Sequence, residues 1–246
     1  MRPKRIVPAL LALLIAPSII FAFTPESRAN ITLQAFKLMP PSLRQQLNKH
    51  RKECLRGALD AMSGVGESQH SITENGKFLA EKISEQIDKI VSMIDRQEPF
   101  KNIVYEMGIL SHYATDLNAP LSPNGDGKEH YNAFYRFCFQ KEKKIRIVFY
   151  GFSDPFLAQK DLAQFSENSL NRTLSHVPYV KDSFSRARNG SDSEFDERSI
   201  LFGIAALSYS HAVTDIARLW LYAWNESHGD LTGTPFPETL KKRDKK

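Results

Sequence analysis

The segment from Ser199 to Trp224 contains no proline, carries only Asp215 and Arg218 as formal charges, and is apolar on nearly every side of a helical projection. A helix of that kind is stable in water only when other helices enclose it. The rest of the chain must therefore supply partners with one apolar face each. Residues Thr73 to Asp95 do so, with Phe78, Leu79, Ile83, Ile87, Ile90, Val91 and Ile94 recurring at spacings of three and four between charged residues. Phe100 to Leu117 is a further helix, bounded by Pro99 and Pro120.

Towards the amino terminus, Ile31 to Leu47 reads as two helical pieces parted at Pro40-Pro41, because proline favours a helix's first turn. Arg51 to Met62 continues in helical spacing until Ser63-Gly64-Val65-Gly66 breaks it. Ser122 to Gly127 is a turn by composition. Glu129 to Phe152 contains the run Ile145 to Tyr150, which is compatible with a strand, although its surroundings favour helix. Pro155 to Leu174 reads as helical, and the polar stretch Asp182 to Glu197 as a long exposed loop. These expectations make a single all-α domain, residues 23–230, a multi-helix bundle of about seven helices, followed by a polar basic tail at 231–246.

The first residues carry Arg2, Lys4 and Arg5 and lead into the uncharged run Ile6 to Phe23, which has the layout of a signal peptide over residues 1–22. Cleavage after Ala22 makes Phe23 the new amino terminus and the protein periplasmic or secreted. An uncleaved membrane anchor is the alternative, since about eighteen apolar residues just span a bilayer. Without those three cations the formal charge falls from +5 to +2. That balance, with no basic-aromatic strip, argues against a dedicated nucleic-acid surface. The two cysteines, Cys54 and Cys138, form no Cys-x-x-Cys pair; in an exported chain they are a candidate disulfide, although sequence does not bring them together.

Chemistry enters through a repeat. Ser111 to Leu117 reads SHYATDL and Ser210 to Ile216 reads SHAVTDI, so His112/Asp116 and His211/Asp215 each stand four apart on apolar helices. Residues i and i+4 share a helix face, so each pair can clamp one object. A surface ion pair or an oriented core histidine is the simpler reading of one such pair. Two copies on buried helices leave four polar groups that need partners, and imidazole with carboxylate suits zinc. Gly108, one turn before His112, leaves that face uncrowded.

The first copy sits in Gly108 to Leu121 and is followed by Asn124-Gly-Asp-Gly-Lys-Glu-His130. This region resembles the zinc-dependent phospholipase C family and its relatives, the three-zinc nucleases, in which a helix bearing H-x-x-x-D leads into a D-x-x-x-P-L-H turn. Ala35-Phe-Lys-Leu-Met-Pro-Pro-Ser-Leu43 is similar to the family's pattern near the mature start, and Gly57-Ala58-Leu59-Asp60 to its Gly-Ala-x-x-Pro-Asp. The resemblance implies an all-α bundle of the phospholipase C/nuclease type, one to three zinc ions and phosphodiester hydrolysis by a zinc-bound hydroxide. It places His70, His112, Asp116 and His130 among the metal ligands. Asp60 and Asp116 are then the catalytic carboxylates, Asp60 as ligand or water-orienting base and Asp116 as a bridge between metals. A phospholipid is the preferred phosphodiester, with a membrane surface as a possible partner.

The departures are specific. Ser122 stands where the turn would supply histidine, Phe134 where an acid follows His130, Met62 where an aspartate follows Gly-Ala, and Arg28 or Asn30 in the region of an early histidine. Phe23 replaces the usual terminal tryptophan, whose ligation uses backbone atoms. Helical spacing suggests that His211 and Asp215 replace lost ligands. The competing expectation is a non-catalytic binding or structural member of the same fold with a vestigial metal site.

Among the remaining features, Tyr113, Tyr131, Phe134 and Tyr209 are either cleft lining or core. Ser122 to Gly127 echoes a calcium loop but lacks its acidic first position, and Ala133 stands where the bidentate Glu belongs. His50, His176 and His228 read as surface histidines.

Overall fold

The computed structural model describes residues 23–61, 72–187 and 195–232. Residues 1–22 and His70 therefore lie outside the described residues. The helices are α1 (Pro25–Phe36), α2 (Pro41–Lys49), α3 (Arg51–Asp60), α4 (Ile72–Asp95), α5 (Phe100–Asp116), α6 (Tyr131–Lys141), α7 (Pro155–Ala158), α8 (Leu162–Leu174), α9 (Val177–Arg186) and α10 (Ile200–Glu226). Among the described residues there is no strand, so the all-α class holds.

Local chemistry sets the entry of α1. Thr24 caps it by accepting from the Ser27 amide at 3.2 Å, Pro25 fills the first turn, and Glu26 complements the helix dipole. The buried positions that follow are Ser27, Arg28, Ile31, Thr32, Ala35 and Phe36, a stripe at spacings of three and four. One arginine in the first turn is thereby directed into the core.

Two central helices carry the repeated motif. α10 is long and apolar enough, by length and composition, to cross a membrane, yet it is largely covered by the rest of the fold. Its indole Trp220 is fully buried and donates to the Met107 carbonyl of α5 at 2.8 Å. Helix α5 is buried along almost its whole length from Ile103 to Asp116.

The contact of α3 with α5 is a close backbone approach. A Cβ on Gly57 would stand 2.0 Å from the Tyr105 carbonyl oxygen, and one on Gly108 would stand 2.0 Å from the Cys54 carbonyl oxygen. Glycine at both positions lets the two backbones meet. Gly108 thus makes room for a helix rather than for open space beside His112.

Three expectations are corrected. The helix expected over Glu129 to Phe152 ends at Lys141; a 3-10 turn, Glu142–Lys144, follows, and Ile145 to Tyr150 is extended without a pairing strand. Its β-branched and aromatic composition wins over its surroundings. The single helix expected over Pro155 to Leu174 is broken at Lys160, whose φ of 60° ends α7 before Asp161 caps α8. The loop expected from Asp182 belongs to α9 as far as Arg186, where Val177, Val180 and Phe184 form a buried face.

Candidate functional site: two arginine-clamped His-x-x-x-Asp stripes

Both copies of the repeat share one local geometry. Thr115 donates its hydroxyl to the Ser111 carbonyl at 2.7 Å, and Thr214 donates to the Ser210 carbonyl at 2.8 Å, each a back-bond across one helical turn. In both copies the aspartate is essentially inaccessible and meets an arginine from another helix: Arg28 of α1 for Asp116, and Arg172 of α8 for Asp215.

The first cluster centres on Arg28. Its guanidinium donates to Asp116 Oδ1, lies 3.3 Å from His112 Nδ1, and donates through Nε to the Phe23 carbonyl at 3.3 Å. On the other side of the ring, His112 Nε2 lies 3.1 Å from Asp116 Oδ2. The carboxylate can only accept, so Nε2 carries a proton towards Asp116, while Nδ1 stands between a group that can only donate, Arg28, and one that can only accept, the Ala58 carbonyl. The Ala58 carbonyl, 3.1 Å from Nδ1, is brought there by the close α3–α5 packing and accepts from Nδ1 whenever that nitrogen is protonated.

The second cluster gathers at the carboxyl-terminal end of α5. Asp215 Oδ2 accepts from Asn118 Nδ2 at 2.9 Å and from Arg172 at 2.7 Å, while Arg172 also donates to Asn118 Oδ1 at 2.8 Å. Thr173, beside Arg172, donates to the Leu117 carbonyl at 2.9 Å and fixes α8 against this end of α5. Arg218 approaches Asp215 Oδ1 only to 3.7 Å. His211, unlike His112, turns away from its aspartate and stacks on Tyr150, ring centroids 4.5 Å apart. Burial, and then the charge of Arg172, push its pKa down to about 4, so the ring is neutral at pH 7.

Tyr150 is delivered by the extended segment, and α10 holds that segment down with side chains one turn apart. Ser210 accepts from the Val148 amide at 3.1 Å and Thr214 from the Tyr150 amide at 3.3 Å. Arg218 donates to the Gly151 and Ser153 carbonyls at 2.9 and 3.1 Å. The i, i+4, i+8 stripe Ser210/Thr214/Arg218 thus supplies the polar partners that a neighbouring strand would otherwise give.

The other expected site residues are placed apart. His130 stacks on Phe184 of α9 at 4.7 Å, with Nε2 3.6 Å from Glu129. Asp60 is exposed at the end of α3, where it accepts from the Tyr105 hydroxyl at 3.2 Å and lies 3.7 Å from Arg56. Tyr113, Tyr131, Phe134 and Tyr209 are buried in the core. Cys54 and Cys138 are separate buried thiols. His228 is exposed, whereas His176, expected at the surface, is half-buried with its Nδ1 enclosed.

Among the described residues no group of three or more His, Cys, Asp or Glu side chains is placed to hold a metal ion. The donor set at His112 and Asp116 does not fit zinc as arranged, because a guanidinium already occupies their common side. Two unit charges about 4 Å apart at an effective dielectric near 20 repel by ~4 kcal/mol, and a divalent ion doubles that. Comparison with protein-family models, curated proteins and solved structures finds no match to the chain.

Arg28 and Arg172 were the residues that sequence reasoning missed as partners of the two aspartates. Arg28 carries a partial signal, since the resemblance puts Arg28 or Asn30 in the region of an early histidine; Arg172 carries none.

Proposed function

We propose that this chain is a non-catalytic binding or structural member of a phospholipase C-like helical bundle, in which an arginine takes the place of a metal ion. One observation carries this reading. The Phe23 carbonyl, His112 and Asp116, which the family resemblance would offer to zinc, all contact the guanidinium of Arg28. A permanently charged group on a short tether satisfies those donors without any ion. The charged start and apolar run of residues 1–22 support export of such a domain to the periplasm or the outside.

A zinc-dependent phosphodiester hydrolase remains the second reading, favoured by the 3.1 Å convergence of His112 Nε2 and Asp116 Oδ2 on one buried face. It requires Arg28 to leave and other donors, such as His70, His130, His211 or Asp215, to arrive. Metal content of the purified protein beginning at Phe23, measured by mass spectrometry after zinc incubation and dialysis, separates the two. Our reading expects folded protein with far less than one zinc per chain, and uptake only after Arg28→His. Stoichiometric zinc with Arg28 intact, lost in the double variant His112→Ala/Asp116→Ala, would overturn it.

A further inference from the structure

The amides of the segment after α6 leave one edge open. Val148 and Tyr150 donate to Ser210 and Thr214 of α10. Successive amides of an extended chain point to opposite sides, so those of Ile147 and Phe149 point away from α10. Neither the N–H nor the C=O of Ile147 or Phe149 has a hydrogen-bond partner among the described residues. Backbone groups without a protein partner are kept in water, so this edge faces solvent. The run begins where the turn Glu142–Lys144 ends and stops at Gly151, whose φ is 85°.

Side chains of the run alternate between two faces. Ile145, Ile147 and Phe149 pack half-buried against the core, whereas Arg146, Val148 and Tyr150 are exposed, Val148 at 52% and Tyr150 at 42%. Lys143, Lys144 and Arg146 are exposed, and none forms an ion pair among the described residues. Of the acids beside them, Glu142 is half-buried and Glu197 lies 3.5 Å from Lys141. An unpaired strand edge is thus flanked by three cations that have no ion-pair partner.

Charge decides what covers the edge. A second copy would bring the same three cations, and like charge along an edge keeps identical edges apart. The chain's own tail, residues 231–246, is no better, with Lys241, Lys242, Arg243, Lys245 and Lys246 against Glu238 and Asp244. A lipid surface offers no row of alternating N–H and C=O groups to match Ile147 and Phe149. We propose that the Ile145 to Tyr150 edge binds an acidic, extended peptide of a partner protein as an added strand. The peptide backbone pairs with Ile147 and Phe149, its acidic side chains lie beside Lys144 and Arg146, and its apolar side chains lie beside Ile147 and Phe149. Acidic and apolar residues in alternation are the sequence that fits. The edge is independent of whether metal binds at His112 and Asp116.

The test combines binding and amide hydrogen exchange on the purified protein at neutral pH. The probes are a capped peptide of about six residues alternating glutamate and valine, its lysine–valine counterpart, and vesicles of phosphatidylcholine and phosphatidylglycerol in equal parts. In the free protein the amides of Ile147 and Phe149 should exchange faster than those of Val148 and Tyr150. Saturable binding of the acidic peptide should slow exchange at Ile147 and Phe149, with the basic peptide and the vesicles leaving both unchanged. Ile147→Pro removes an N–H that bonds nothing in the free protein and should weaken the acidic peptide by roughly tenfold or more. If that variant does not fold, Lys143→Glu/Lys144→Glu/Arg146→Glu, confined to exposed side chains, should do the same and admit the basic peptide. Slow exchange at Ile147 and Phe149 in the free protein would show a covered edge and overturn the proposal. So would equal binding of the two peptides, acidic-peptide binding without protection of those two amides, or binding of the vesicles alone, which would give the face to a lipid surface.

Discussion

Arg28 and Asp116, 88 positions apart in the chain, form an ion pair with almost no solvent exposure on either side chain. It ties the start of α1 to the end of α5, and through His112 to the α3–α5 contact. A buried pair of this kind adds little over well-packed apolar groups, but losing one partner strands a charge. Arg28→Ala should therefore destabilise by about 3–5 kcal/mol, read from urea denaturation. The double variant Arg28→Met/Asp116→Leu should recover most of that loss. Equal destabilisation by the single and double variants would show that packing, rather than the stranded carboxylate, sets the cost.

The α3–α5 contact predicts a different kind of damage. Gly108→Ala places a methyl group 2.0 Å from the Cys54 carbonyl oxygen, an obstacle of backbone that no side-chain rotation relieves. The helices must separate, loosening the Ala58–His112 contact as well. A loss of about 3 kcal/mol is expected, with altered His112 ring resonances. An exposed control is Gly203→Ala on α10, where a Cβ meets nothing within 4 Å and helix propensity favours alanine by up to ~1 kcal/mol.

His211 predicts the direction of acid sensitivity. Its folded pKa is depressed to about 4 by burial and then by Arg172, against about 6.5 when unfolded, so the unfolded chain binds the extra proton in between. His176 shifts in the same direction, by burial and then by Arg172. The neutral-ring contribution is fully present above pH ~6.5 and is lost progressively as pH falls towards ~4. Solvent access on the open side reduces the His211 effect to about 1–2 kcal/mol. His211→Phe, which keeps the stack on Tyr150, should flatten the stability slope across that window; an unchanged slope would assign the acid sensitivity elsewhere.

The segment from Ile145 to Ser153, extended as far as Tyr150, has its polar anchors on α10. Arg218→Ala removes donors to Gly151 and Ser153 and the contact with Asp154. Faster amide exchange at Val148 to Asp154 is expected, with α5 and the core of α10 unchanged, at a cost of about 1–3 kcal/mol. Exchange that rises uniformly across the protein would mean that the segment is not a separate unit.

The fold was legible because its periodicities are strong. The apolar α10, the three-four spacing of α4 and the proline boundaries of α2 and α5 all follow from local rules. The run Ile145 to Tyr150 carries a strand-like composition, but its anchoring to α10 is not legible, because its partners are side chains of a helix and leave no trace in its own pattern. In the candidate site, the i, i+4 geometry of His112/Asp116 and His211/Asp215 was readable, since it depends on one helix each. Their arginines come from 88 and 43 positions away, and no spacing rule reaches that far. Asp215 shows the difference plainly: its face is set by α10, but its chemistry is set by Arg172 on α8.

The cysteines give the last prediction. Cys54 on α3 and Cys138 on α6 are both fully enclosed, and burial pushes each thiol pKa up. A thiol reacts as its thiolate, so both should resist a thiol-specific reagent in the folded protein and react promptly in denaturant. Two equivalents of label in denaturant without reductant are expected, because the groups are thiols. Rapid labelling of one cysteine under native conditions would mark local opening of its helix, whereas no labelling in denaturant before reduction would show that the chain rearranges far enough to join them.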